Sequence, residues 1–386
     1  MGRNDSMIPP QREWVTPGPR RGKRELPRTG VGRRIGRTVL RIAACLLTLA
    51  VALAATVLIS LKLICSDAYP TAQQMFVTTI LETGQLKFLA SWFLSPEEIQ
   101  AIVDQNSMQA LDAEVDAGLI QIGVSGRVDT PADSAGGTEE QDIEIVEVAG
   151  ATYTGTMMIV QDPSRVSLAT IYPWREVGVT LDELVTASGA VAGINGGLYN
   201  STNNSGGSPY GVIVSNGEIQ FNKPQQFPGL VLIGFTEDDI LQIIDIAGMK
   251  AADVEELVRE EKIRDAVTFQ EEASDANNHF VQLIINNEAR EMNGKGSGLN
   301  PRTAIGQRPD GAVLLFVTDG RGKSGHLGAS SGDLISVMQE FGAVNAANLD
   351  GGSSSCMYYD GEYLMTSVTF YYSNSSWKLP AGFVVK

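Results

Sequence analysis

The chain has 386 residues, room for two or three domains, and its net charge of -16 conceals a division. Residues 1–41 hold eleven Lys/Arg and three Asp/Glu, hence +8, which leaves -16 - 8 = -24 on the remainder. So acidic a body argues against a nucleic-acid partner, whose phosphates it would repel, and three cysteines (Cys45, Cys65, Cys356) offer neither a disulfide framework nor metal-type spacing.

The basic arm, residues 1–41, is rich in Pro, Gly and Arg without an apolar period and is expected to be disordered. Ile42–Leu61, IAACLLTLAVALAATVLISL, is uncharged and long enough to cross a hydrocarbon core as helix. Arg33, Arg34, Arg37 and Arg41 precede it, and only Lys62 follows before Asp67. The positive-inside rule then places the N-terminus in the cytoplasm and the rest outside, a single-pass cell-membrane protein. A cleaved signal peptide is the rival. The long basic region, the long apolar run and the lack of a small-x-small site before Pro70 favour an uncleaved anchor.

Residues 62–125 read as a helical stalk. Phe76, Val77, Ile80 and Leu81 form an apolar face, and Ser95-Pro96-Glu97-Glu98 is a capping signature opening a second helix. Residues 126–142 are polar, acidic and Gly-bearing, a linker. The body, 143–386, opens with strands Ile143–Val148, Thr156–Val160 and Val166–Thr170, then a helix capped by Thr180 and Glu183. An apolar strand closes on Asn195-Gly196-Gly197. Gly211–Val214 and Glu218–Phe221 flank Ser215-Asn216-Gly217, a hairpin signal. A charged helix over Ala251–Lys262 follows, then strands Val281–Ile285, Arg302–Gln307 and Ala312–Thr318. Ser330 or Ser331 caps a helix carrying Leu334, Val337, Met338 and Phe341. Strands Val368–Tyr372 and Gly382–Val385 end the chain. Strands outnumber helices without strict alternation, so the class is α+β with a mixed sheet.

Three Gly-rich turns end strands: Asn195-Gly196-Gly197, Asp319-Gly320-Arg321 and Asn348-Leu349-Asp350-Gly351-Gly352-Ser353. Glycine lets backbone N–H groups approach a ligand. Asp319 and Asp350 are candidate acid/base or nucleophile carboxylates, and Arg302 and Arg321 are forks suited to phosphate. Asn195 and Asn348 could orient the carboxylates or bond sugar hydroxyls. His326, seven residues past Asp319, is a candidate lining residue. Nucleophile-elbow, P-loop and dinucleotide patterns are absent. Asp238-Asp239 offers oxygen ligands for Ca²⁺ without a loop signature, so no metal or cofactor is expected.

The motifs NPRTAIG, VTDGR, EFGAVNAANLDGGSSS and GAVAGINGGLYN resemble the phosphodiester glycosidase family over roughly 143–386. That resemblance implies hydrolysis of a sugar–phosphodiester bond, on a cell-wall glycopolymer or exopolysaccharide, at a site drawing on Asn195, Arg302, Asp319, Arg321, Asn348 and Asp350. Asp319, Asp350 and Asn195 would be catalytic. Arg302, Arg321, Asn348, Gly196, Gly351, Gly352, Ser353 and His326 would hold substrate. One departure concerns the family's C-terminal Arg before Val-Pro-Asn, where this chain has Trp377-Lys378-Leu379-Pro380. The alternatives are a non-catalytic glycan-binding or polysaccharide-assembly protein on the same scaffold, and a transferase or lyase on the same bond.

Overall fold

The structure is a computed structural model that describes residues 18, 29–83, 86–123, 142–274, 278–367 and 374–386. Most of the basic arm, nearly all of the expected linker 126–142 and the expected strand Val368–Tyr372 lie outside the described residues. Two compact units divide the chain, Met1–Leu61 and Lys62–Lys386.

Helix α1 spans Thr29–Ile64, so it starts ahead of the apolar run expected at Ile42 and takes in part of the basic arm. No proline follows Pro27 until Pro70, and nothing in between interrupts helical hydrogen bonding. Ile35–Ile64 is the one span among the described residues long and apolar enough to cross a membrane, a test that a signal sequence passes too. Two of its hydroxyls are turned inward on its own backbone. Thr48 and Thr56 donate to the Ala44 and Ala52 carbonyls at 2.9 Å, which meets these two hydroxyl donors within the helix itself.

After it, α2 (Pro70–Leu81) and α3 (Pro96–Gln105) build a small core of Val77, Leu81, Ala90, Leu94, Ile99, Ile102 and Val103. The predicted capping box at Ser95 and Glu98 is formed in full. Thr180 with Glu183 and Ser330 with Asp333 do the same for α4 (Leu181–Ala187) and α6 (Ser331–Glu340). The charged helix α5 covers Ala251–Glu260.

The α+β class holds, but the sheet expected as mixed is instead several sheets whose described pairings are all antiparallel. Short turns join many of the strands, and a parallel neighbour would need a long crossover. A seven-stranded sheet runs Ile143–Ala149, Thr154–Val160, Val313–Thr318, Thr303–Gln307, Asn345–Asn348, Gln282–Ile285, Glu288–Ala289 in spatial order. A five-stranded sheet orders Glu362–Thr366, Cys356–Tyr359, Ala192–Asn195, Ala381–Val385 and Val166–Thr170. The other orders Glu218–Asn222, Val212–Ser215, Ile263–Gln270, Leu230–Thr236 and Leu241–Asp245.

One apolar core joins the three, with Ile194, Ile233, Val267, Ile305, Leu315, Met357 and Phe383 all buried. The opposite face of the seven-stranded sheet is covered by α6 through Leu334, Met338 and Phe341. The C-terminal ends of Ala192–Asn195, Val313–Thr318 and Asn345–Asn348 carry the three glycine turns, with Arg302 at the start of Thr303–Gln307 beside them.

Candidate active site

Asn195 ends its strand fully buried, and its amide is a staple. Oδ1 accepts from Thr303 Oγ1 at 2.7 Å and from the Cys356 backbone N–H at 3.2 Å, and Nδ2 donates to the Asp350 carbonyl at 2.6 Å. The Asp350 N–H donates in turn to the Gly196 carbonyl at 3.3 Å. The first and third turns are thereby locked edge to edge. Gly196 and Gly197 sit where a Cβ would press on Ala381 at 3.2 Å and on the Thr268 carbonyl at 2.3 Å, so the turn has no space for a side chain.

Asp350 keeps partial exposure. Loss of water around it pushes its carboxyl up to about 7, against the Ser354 hydroxyl, the Gly351 N–H and the Arg321 guanidinium, all of which favour the charged form. Ser354 Oγ, which supports the charged Asp350 carboxyl, lies 2.9 Å from the buried Tyr199 hydroxyl.

Arg321 reaches the same turn. Its Nη1 donates to Ser353 Oγ at 2.7 Å, and a Cβ on Gly352 would lie 2.6 Å from its Nη2. Gly352 is therefore the residue that lets the guanidinium lie flat on the turn, and its own φ of +63° suits glycine. Arg321 holds a left-handed φ of +55°, a costly conformation for a residue with a Cβ and one that clusters at functional sites.

Asp319 is 1 % exposed and its carboxylate is filled by donors: the Thr154 N–H at 2.8 Å, Thr154 Oγ1 at 2.7 Å and His326 Nδ1 at 2.7 Å. A bond of this length from Nδ1 to a carboxylate fixes the proton on Nδ1 and leaves Nε2 as the free ring nitrogen. The His326 side chain is 29 % exposed, so that nitrogen is within reach of solvent. Lys323, beside Asp319, donates to the Thr366 carbonyl at 2.7 Å.

Arg302 and Asn348 are engaged differently. Arg302 is 4 % exposed and donates to Ala329 O at 3.1 Å, Ser297 Oγ at 2.9 Å and Gly298 O at 2.7 Å. It also pairs with Glu82 at 2.5 Å. Asn348 Nδ2 donates to Phe280 O at 2.9 Å, and its buried Oδ1 has no hydrogen-bond partner among the described residues. The structure thus brings the predicted residues to one end of the sheets but sorts them. Asp350, Gly351, Gly352, Ser353, Arg321 and His326 reach the surface, whereas Asn195, Gly196, Arg302, Asp319 and Asn348 lie behind it.

Sequence reasoning missed Thr154, Thr303, Tyr199, Ser354 and above all Glu82. Burial raises the Glu82 carboxyl to about 7 against the pull of Arg302. No local pattern marks Glu82, which reads as the ordinary end of an amphipathic helix. Among the described residues no group of three or more His, Cys, Asp or Glu is placed to hold a metal ion, and the Asp239 carboxylate pairs with Arg264 at 2.9 Å.

The sequence model of the family described as phosphodiester glycosidase matches residues 188–386. The SPbeta prophage-derived uncharacterized protein YomE of Bacillus subtilis (strain 168) is 40 % identical over 65 residues, covering 17 % of this chain and 10 % of that protein. Among solved structures, the catalytic domain of zebrafish N-acetylglucosamine-1-phosphodiester alpha-N-acetylglucosaminidase, auto-inhibited by its pro-peptide, aligns at 18 % identity and TM-score 0.46, over 64 % of this chain and 85 % of that one. A hypothetical protein from Synechocystis aligns at 17 % identity and TM-score 0.37, over 63 % and 61 % of the two chains. A putative exported protein from Burkholderia pseudomallei K96243 aligns at 15 % and 0.38, over 60 % and 74 %.

Proposed function

The chain belongs to the phosphodiester glycosidase family, and from that premise we propose that it hydrolyses a glycosyl phosphodiester, water replacing the phosphate at the sugar's anomeric carbon. The observation that carries the reading is one turn holding both halves of the chemistry. Arg321 lies on Gly352 and Ser353, and Asp350, with its carboxyl near 7, opens the same turn.

In this reading a non-bridging phosphate oxygen takes the place of water at Arg321, as a guanidinium fork suits. Asp350, whose raised carboxyl can hold a proton near neutral pH, gives that proton to the bridging phosphate oxygen as the anomeric C–O bond breaks. His326 Nε2 receives the proton of the attacking water, with Asp319 holding the ring and stabilising the imidazolium so formed. The products are a free sugar and a phosphomonoester, and the water's two hydrogens are accounted for. Asn195 acts through Asp350, whose carbonyl it fixes, and is a positioning residue here.

We further propose that Ile35–Ile64 anchors the chain and that the charge asymmetry around it places the body outside the cell, where a phosphate-linked wall glycan or exopolysaccharide is the substrate class. The full chain in detergent should release sugar from a chromogenic N-acetylhexosamine phosphodiester or a close sugar relative. In ¹⁸O-labelled water the label should enter the sugar. A folded protein inert on the whole panel, or label found in the phosphate, would sink the hydrolase reading. Glycan binding that survives Asp350→Ala without any turnover to lose would favour the non-catalytic alternative.

A further inference from the structure

We infer that Glu82, which lies in the helical segment ahead of the family match, is a positioning residue of the site. Paired with Arg302, it pins the 297–302 loop beneath the Gly351–Ser353 turn and leaves Arg321 as the guanidinium that receives phosphate. The inference rests on the reading above for its substrate, but concerns residues and a segment that reading does not use.

The geometry runs as a relay from helix to turn. Glu82 Oε1 accepts from the Gly298 N–H at 2.7 Å, and Oε2 from Asn300 Nδ2 at 3.3 Å and Arg302 Nη2 at 2.5 Å. The Glu82 and Arg302 side chains are 3 % and 5 % exposed, so each depends on the other to be buried as a charge. Next to them the Leu299 N–H donates to Thr79 Oγ1 at 3.0 Å, and a Cβ on Gly298 would stand 2.3 Å from the Thr79 backbone. The loop so held presents the Pro301 carbonyl, which accepts from the Gly352 N–H at 2.8 Å and would lie 2.9 Å from a Cβ on Gly351. Gly352 is where Arg321 rests.

A carboxylate among an arginine, an amide and a backbone N–H could equally be an anion seated in the phosphate's own place. The stitching of its segment favours a permanent wall. Met108 bridges Met292, and the Gln109 N–H donates to Glu291 O at 2.9 Å. Arg290 donates to Met108 O at 3.2 Å, Asn286 Nδ2 to Glu114 O at 2.9 Å, and the Gln121 N–H to Pro309 O at 2.7 Å. Residues 108–121 of the same segment are thus fastened to the body at several places, and Thr79 holds the loop beside Glu82 itself.

The test compares Glu82→Gln, the double variant Glu82→Gln/Arg302→Met and Arg321→Met in the full detergent-solubilised chain. Inorganic phosphate binding is read by calorimetry, and KM and kcat on the glycosyl phosphodiester by steady-state assay. We expect Arg321→Met to weaken phosphate binding by tenfold or more and the double variant by no more than about threefold, since it removes both charges of a pair outside the seat. Glu82→Gln should raise KM about tenfold with kcat little changed, and the double variant should recover part of that loss. If Glu82→Gln alone unfolds the protein, the double variant, which buries no unpaired charge, carries the comparison. Tighter phosphate binding or faster turnover in Glu82→Gln would make Glu82 a competitor for the seat and overturn the inference. Loss of phosphate binding in the double variant as deep as in Arg321→Met would do so too, as would a wild type that binds no phosphate. A wild type that binds phosphate but cleaves no substrate would instead overturn the hydrolase reading, and the binding arm would still decide this one.

Discussion

Arg302 and Arg321 stand at the same open end of one hairpin, the first entering it and the second leaving it, yet their surroundings are opposite. Arg302 is sealed in, with carbonyls, a hydroxyl and a buried carboxylate around it. Arg321 is partly exposed, strained at its backbone and bonded through its side chain to Ser353. The two aspartates divide in the same way. Asp319 has three donors on its oxygens, whereas Asp350 is short of them and its carboxyl rises to about 7. In the proposed reading Arg302 and Asp319, with their partners supplied, hold the turns in place, and the chemistry falls to Arg321 and Asp350 beside them.

The largest blow to that division should come from Asp350→Asn. Removing a positioned proton donor costs about 10³-fold in kcat, and the alkaline limb of the pH–rate profile, expected near pH 7 from the raised carboxyl, should vanish with it. An Asn variant within tenfold of wild type would mean the undersupplied carboxylate is not the acid. Arg321→Lys comes next. A point charge cannot keep Ser353 and a phosphate together, so KM should rise roughly 10- to 100-fold with kcat less affected. His326→Gln should lower kcat by about tenfold to a hundredfold while leaving KM for the phosphodiester nearly alone, because it removes a base and no phosphate contact. Equal losses in binding for Arg321→Lys and His326→Gln would erase the distinction between the two turns.

How much of this was legible depends on how local each signal is. The capping boxes at Ser95 and Thr180 need three residues to declare themselves, and both formed, while the cap left open between Ser330 and Ser331 fell to Ser330. The hairpin at Asn216-Gly217 was equally plain, with φ of +52° and +75°. In the same sheet Leu230–Thr236, Leu241–Asp245 and Ile263–Gln270 went unnamed. Leu230–Thr236 is buried along its whole length, so it reads as a continuous apolar run without alternation. The three turns of the site were visible because glycine, Asp and Asn crowd there. Their division was not, since it turns on partners far off in sequence. Glu82 meets Gly298 across 216 positions, and Asn195 meets Asp350 across 155. A fork of donors looks the same in sequence whether its partner is a substrate or a buried glutamate.

The smallest predicted effect sharpens the division from within. Ser354 donates to Asp350 and so lowers a carboxyl that burial has raised. In Ser354→Ala that support is gone, so the folded-state pKa rises from about 7 and the acid stays protonated to higher pH. The alkaline limb should therefore shift upward while the plateau on its acid side stays within about twofold of wild type, a modest change because one hydroxyl hydrogen bond is at stake. Stability should follow with a definite sign. A carboxyl whose folded pKa exceeds its unfolded value of about 4 is without penalty below that value. The penalty grows as pH rises towards the folded pKa and is constant above it. Since Ser354→Ala moves the upper bound higher, its melting temperature should track that of wild type up to about pH 6 and keep falling towards pH 8 where that of wild type levels off. A limb that moves to lower pH, or melting curves that run parallel, would show that Ser354 does not act on the charged form of Asp350.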